Sequence, residues 1–302
     1  MRRIAACLLL VALAAPFRAR AGDGPAAAAA DGPTTRIVSM MPNATEILFA
    51  LGAADQVAGV SDYCAFPAEA ARKPRVGGLL NPNIERLLLL RPTRVLLHSG
   101  QGELAARLAG AGVRAELLRA DTVEDVFDSV GRLGALTGRG READAMLAGL
   151  RASIPWPPPA PGDDTGSTAP RVLLVMAREP GSLRGLYAGG PRTHLGQILV
   201  AAGGRNVLDA DDPRPSRQVG IEELIRANPD VVIDFSATDS GAAADRADTE
   251  RLMEPWRALA TVGAVRDGRV HFVTDPHLAV PGPAMGTTAD YFRAILRGGA
   301  RP

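Results

Sequence analysis

The sequence predicts an α/β protein of two similar lobes joined by a helical segment, and three observations carry that expectation. Near the start, the β-branched run Arg36-Ile37-Val38-Ser39 is followed by a helical stretch from Asn43 to Leu51 and a second apolar run, Val57-Ala58-Gly59-Val60. Strand, helix and strand at such short spacing belong to a parallel sheet. Further on, the stretch Ile84–Leu97 repeats as Ile221–Asp234 at a constant offset of 137 positions. That offset aligns an Ile, a Glu, a Leu, a Pro and the apolar run that follows. Between the two copies, residues 122–154 read as two successive helices.

The elements follow in order. Met1-Arg2-Arg3 is a short positive region, and Ile4–Ala15 is an apolar run too short to span a bilayer. Pro16 breaks the run, and Ala19-Arg20-Ala21 offers a small-x-small cleavage pattern, so residues 1–21 are expected to be a secretory signal peptide. Ile4-Ala5-Ala6-Cys7 imitates a lipoprotein box but stands too early, ahead of most of the apolar run. Loss of Cys7 on export leaves Cys64 alone, so no intramolecular disulfide is expected. Residues 22–35 form a flexible lead into an N-terminal lobe over 36–121. In that lobe Asn43-Ala44-Thr45-Glu46 opens the first helix and Gly52 closes it. Thr122 and Asp125 make a capping-box pattern before Val123, Val126, Phe127, Val130 and Leu133 at helical spacing. Gly138 interrupts, and a second helix runs to Ser153, so 122–154 bridge the lobes. Residues 155–170 are a Pro/Gly-rich linker, stiff through Pro157-Pro158-Pro159-Ala160-Pro161 and then polar. The C-terminal lobe, 171–302, opens on the strand Arg171–Val175 and ends in a helix over Thr287–Leu296. A looser repeat, Glu46–Gly52 against Gln197–Gly203, keeps the same order in both lobes. Twin lobes held by a helical crossing leave a cleft between them, where ligands prefer to bind.

The chemistry is sparse. Hydrophobic residues make up 46% and charged residues 22%, with a formal net charge of +1. That composition supports a proper core and supplies no field for nucleic acid or an anionic membrane. Gly-x-Ser-x-Gly, the phosphate-cradling glycine loop and His-Glu-x-x-His are all absent. The four histidines, His98, His194, His271 and His277, show no metal-ligand spacing. No enzyme activity and no intrinsic cofactor are expected; a metal-ion binding protein or a metal-dependent hydrolase is the rival of another class. Asp62, Tyr63 and Cys64 follow the second strand, with Tyr63 suited to wall a flat ligand. Cys64 reads either as a soft thiolate beside it or as a small core residue. His98 follows the strand Val95-Leu96-Leu97, at the end of a parallel strand where ligand crevices form. Gly77–Asn83, which includes Leu79, is either a tight loop or bare backbone at the cleft mouth. Asp275–Pro283, with His277, is either a connector or the facing wall. Glu85 and Glu222 sit at helix starts, where the helix dipole favours a carboxylate. Their matched places in the repeat equally suit a pair of anionic knobs for arginines on a partner.

These residues match a family. Arg36–Ser39, Pro42–Ile47, Gly59–Tyr63, Val76-Gly77-Gly78 and Asn81–Glu85 resemble the cobalamin-binding branch of the class III periplasmic binding proteins, within the helical-backbone metal receptor superfamily. Leu133-Gly134, Leu136–Arg139 and Pro281-Gly282-Pro283 extend the resemblance from Arg36 to Leu296, with the proline-rich linker as an insertion. The resemblance implies two Rossmann-like lobes with parallel sheets, bridged by a long interlobe helix with little hinge closure. It also implies a periplasmic monomer that delivers a small-molecule chelate to an ABC permease–ATPase complex. Under it, Glu85 and Glu222 are the glutamates that dock onto permease arginines, and Tyr63 faces a corrin ring. Leu79 and His98 take the places of tryptophans, which leaves haem or a ferric siderophore as alternative cargo, with His98 as a candidate ligand to the metal.

Overall fold

The computed structural model describes residues 35–157, 168–237 and 246–298. The expected signal peptide, most of the lead, Cys7 and the middle of the linker lie outside the described residues.

The first sheet has the order β2-β1-β3-β4, built from β1 (Ile37–Ser39), β2 (Val57–Val60), β3 (Arg94–His98) and β4 (Arg114–Leu118), and all its pairings are parallel. Its crossovers are α1 (Pro42–Ala50), then α2 (Ala68–Ala71) with α3 (Ile84–Leu89), and α4 (Gly102–Gly110). Parallel strands are covered on both faces, and the side chains divide accordingly. On β3, Val95 and Leu97 join one buried cluster with Leu87 and Leu108, while Leu96 joins another with Ile47 and Leu48.

The expected bridge is present as α5 (Val123–Thr137) packed along α6 (Gly140–Ser153). Both halves of the capping box form: Thr122 Oγ1 accepts from Asp125 N–H at 3.1 Å, and Asp125 Oδ2 accepts from Thr122 N–H at 3.0 Å. Gly138 ends α5 in the left-handed region. A Cβ at Gly134 would stand 2.4 Å from that of Ala143, so the absence of a side chain lets the two helices approach. Helix α5 packs on α1 and on α7 (His194–Ala201), and α6 packs on α11 (Met285–Leu296).

The second sheet runs β10-β9-β5-β6-β8, with β7 pairing β5. It comprises β5 (Arg171–Ala177), β6 (Tyr187–Gly189), β7 (Arg205–Asn206), β8 (Ser216–Gln218), β9 (Val231–Asp234) and β10 (Val270–Phe272), with helices α8 (Ile221–Ala227), α9 (Arg246–Arg257) and α10 (Gly263–Arg266). Here a purely parallel expectation needs correcting, because β6 and β8 pair antiparallel. These two strands are three residues each, Tyr187-Ala188-Gly189 and Ser216-Arg217-Gln218, so they carry none of the Val/Ile/Leu signal of a strand buried on both faces. Val172 and Leu174 of β5 face the same buried cluster as Ile47, Leu133, Leu150 and Phe292. One continuous core therefore runs from the first sheet through α5 and α6 to the second.

Candidate functional site

A cavity of about 410 Å³ lies across the C-terminal edge of the first sheet, within the size range of small-molecule sites. All four strand ends contribute. Met40 and Met41 follow β1, Tyr63 follows β2, His98 ends β3 and Ala120 follows β4; Leu79, Leu80 and the start of α1 complete the walls. The surroundings are mostly apolar, and the lining holds neither lysine nor arginine. Tyr63 is 67% exposed and Leu80 is 96% exposed, both unusual for large side chains without a partner.

Local chemistry holds these residues in place. Gly78 brings its backbone close to the Tyr63 ring, since a Cβ there would sit 3.4 Å from it and 2.6 Å from Asn81 Oδ1. Gln101 ties the loop to the strand end: its Nε2 donates to Leu79 O at 3.0 Å, and its Oε1 accepts from His98 N–H at 3.0 Å. His98 Nδ1 in turn accepts from Gly100 N–H at 3.2 Å, which places the proton of the neutral ring on Nε2. A metal-ligating histidine normally shows the reverse pattern, donating through the nitrogen that does not bind metal. The ring is arranged to donate a hydrogen bond, and coordination through Nε2 would cost the Gly100 contact.

The structure thus brings Tyr63, Leu79 and His98 together but not every predicted residue. Cys64 is fully buried, with its Sγ 3.1 Å from Thr45 Oγ1 and 3.2 Å from Ser61 Oγ. The reading of Cys64 as a ligand residue is corrected to a core one: alternation in the loop turns Tyr63 out and Cys64 in. Asp62 is exposed beside Tyr63, but it does not line the cavity. His277 does not line it either. It packs against Phe66, ring centroids 3.6 Å apart and planes tilted by 49°, and holds its Nδ1 3.5 Å from Glu46 Oε1 without hydrogen-bond geometry. The segment 275–284 does face the first half. Pro283 and Ala284 close a separate groove of about 510 Å³ against Glu46, Phe49 and Phe66. Sequence reasoning missed Met40, Met41, Pro42, Asn43, Leu80 and Ala120 as lining residues. The rule that found His98, that strand ends line crevices, would have found those after β1 and β4 as well.

Glu85 and Glu222 occupy the second position of α3 and α8, and both are exposed. Asn83 caps α3 by accepting from Arg86 N–H at 2.9 Å. Glu223 is engaged by Arg217, which leaves Glu222 facing solvent.

Burial and the nearby Asp275 carboxylate push the Glu46 carboxyl up to about 7. Burial pushes His194 down to about 4, with its Nε2 3.1 Å from Ala279 O. Among the described residues no three His, Cys, Asp or Glu side chains converge as a metal site, and no helix is long and apolar enough to cross a membrane.

The family described as periplasmic binding protein matches residues 37–276. A cobalamin-binding protein of Halobacterium salinarum is 29% identical over 84% of this chain and 67% of its own length. A vitamin B12-binding protein of Pectobacterium atrosepticum is 26% identical over 77% of this chain and 81% of its own. The crystal structure of a periplasmic haem-binding protein from Pseudomonas aeruginosa superposes with a TM-score of 0.69 at 26% identity, covering 89% of this chain and 94% of that one.

Proposed function

This chain belongs to the periplasmic binding protein family, and on that footing we propose that it captures a corrinoid in the strand-edge cavity and delivers it to an ABC importer. The observation that carries the choice of ligand is the chemistry of the cavity wall: mostly apolar, bordered by an exposed tyrosine ring, with a histidine set to donate and neither lysine nor arginine. A corrin ring edged with neutral carboxamides suits that surface. Haem brings carboxylates that want a cation, and an iron that takes a histidine nitrogen or a tyrosinate oxygen; His98 has its lone pair on Gly100, which leaves Tyr63 as the donor that a haem ligand would use. The relatives named for cobalamin and vitamin B12 support the same reading.

Delivery would use Glu85 and Glu222. Each stands beside exposed apolar side chains, Leu89 (79% exposed) one turn beyond Glu85, and Ile221 and Ile225 around Glu222. A carboxylate flanked by bare apolar surface suits a partner that presents an arginine within an apolar patch. The protein would act outside the cytoplasm as a monomer, without turnover of its cargo.

Purified protein titrated with cobinamide, cobalamin, haem and a ferric siderophore tests the ligand. A corrin-band change is expected, and Tyr63→Ala should weaken it by about tenfold, the scale of one aromatic contact. Haem binding with a Soret shift abolished by His98→Ala would instead establish haem as cargo with His98 as its ligand.

A further inference from the structure

Away from the strand-edge cavity, the groove of about 510 Å³ between α1 and the segment 275–284 holds a carboxyl that the protein leaves without a counter-charge. Glu46 lines this groove and is 6% exposed. Among the described residues no hydrogen-bond donor reaches either of its oxygens, yet neither oxygen is sealed from solvent. His277 Nδ1 stands 3.5 Å away but lacks hydrogen-bond geometry. The other charges make the shortage worse. Asp275 sets a like charge near Glu46, Glu69 adds one to the groove wall, and the lining holds neither lysine nor arginine. Lys73, the single lysine of the chain, donates its Nζ to Ala54 O at 2.8 Å. A buried carboxylate is kept ionised by a partner, and burial beside Asp275 without one pushes this carboxyl up to about 7. The walls supply what an organic cation needs besides an anion. Phe49, Phe66 and Pro283 line the groove with Glu46, and aromatic faces attract a cation while the remaining apolar surface receives its stem.

We propose that this groove is a second binding site, for a small molecule carrying a primary ammonium group on an apolar stem, with Glu46 as counter-ion and Phe49 and Phe66 as walls. A primary ammonium brings three N–H donors to oxygens that have none. Binding exchanges one cation for another: the ammonium takes the place of the Glu46 proton, and that proton leaves to solvent. Pro283 comes from the second half and the other walls from the first, so an occupied groove also braces α1 against the segment 275–284. No lining residue is shared with the strand-edge cavity, and the site therefore stands whatever cargo that cavity takes.

Titration calorimetry with phenethylamine and its neutral counterpart 2-phenylethanol, from pH 5.5 to 8, tests the site. Wild type should bind the amine roughly thirtyfold more tightly at pH 8 than at pH 5.5, because Glu46 loses its proton across that range. The heat should vary with the buffer, as it must when a proton is released, and the alcohol should show no such rise with pH. Glu46→Gln keeps the shape and the neutral state of the side chain, and it should bind amine and alcohol alike at every pH. Ala50→Trp, a change at an exposed position on the groove wall, should block the amine without touching the charge. Equal affinity for amine and alcohol in wild type at pH 8 would overturn the proposal. So would amine binding that survives Glu46→Gln or Ala50→Trp unchanged, or no amine binding at millimolar concentration. If Glu46→Gln fails to fold, the comparison of amine with alcohol and the Ala50→Trp variant still decide.

Discussion

Arg91 shows how much one backbone angle can reveal. Among the described residues other than glycine, only Arg91 (φ 46°) and Asn228 (φ 41°) adopt positive φ. They occupy equivalent positions of the internal repeat, each between a short helix and the proline that leads into a strand. In both lobes the chain must leave α3 or α8 and turn back sharply into β3 or β9. A left-handed residue makes that turn, and the following proline disfavours the right-handed helical alternative. Asn228 suits the conformation, and its Oδ1 also accepts from Gly263 N–H at 2.8 Å. Arginine has neither advantage and bears the steric cost of the left-handed region. Arg91→Asn should therefore raise stability by about 0.5–1 kcal/mol and lift the melting temperature slightly; a lower melting temperature would refute this account of the turn. At the same scale, Cys64 and Asn43 exchange the expected roles. The cysteine is a satisfied core residue, and the asparagine that opens the helix has a buried Nδ2 without a hydrogen-bond partner.

At the scale of elements, the segment 275–284 and the helices α1 and α7 set the pH response. Glu46 of α1 is nearly buried beside His277 and Asp275, and its carboxyl is raised from 4.5 to about 7. The folded state then holds a proton that the unfolded chain has lost between pH 4.5 and 7, so this group's contribution to stability falls as pH rises across that window. His194, at the start of α7, is lowered from 6.5 to about 4. The unfolded chain takes up a proton there that the folded state refuses, so its contribution rises with pH from 4 to 6.5. The two slopes oppose each other over pH 4.5 to 6.5 and leave the wild type comparatively flat. Glu46→Gln removes one of them. Urea melts of that variant should show stability climbing from pH 4.5 to 6.5 and then levelling, with a difference from wild type of up to about 3 kcal/mol over the range. Parallel pH profiles for the two proteins would mean that Glu46 titrates normally.

Across the whole molecule, the two sheets share one core through α5 and α6, and each half carries an exposed glutamate at the same place in its repeat. Neither glutamate lines the cavity, so under the proposed function capture and delivery would use separate surfaces. Glu85→Ala combined with Glu222→Ala should leave ligand affinity unchanged while ABC-dependent uptake in cells falls by tenfold or more, since charge pairs desolvated at an interface are costly to break. Normal uptake in the double variant would remove the docking role.

The sequence by itself determined the first strand–helix–strand unit, the repeat, the capping box at Thr122, the break at Gly138 and the family resemblance. All of these are local patterns, in which hydrophobic period, caps and glycine punctuation act within a few residues. It also singled out His98 through its place at a strand end, Tyr63 through its place in the loop after the second strand, and Leu79 through the family resemblance. Only the tertiary structure decided the rest. The antiparallel strands β6 and β8 have no strong signal of their own and are held by the strands beside them. Whether Cys64 or Tyr63 turns outward depends on what packs beneath the loop. His277 lies by Phe66 and Glu46 because a segment far along the chain folds back onto α1. The unpaired donor of Asn43 becomes visible only when every neighbour that might have satisfied it is in place, since hydrogen-bond satisfaction is a property of the packed interior and leaves no mark on a single residue type.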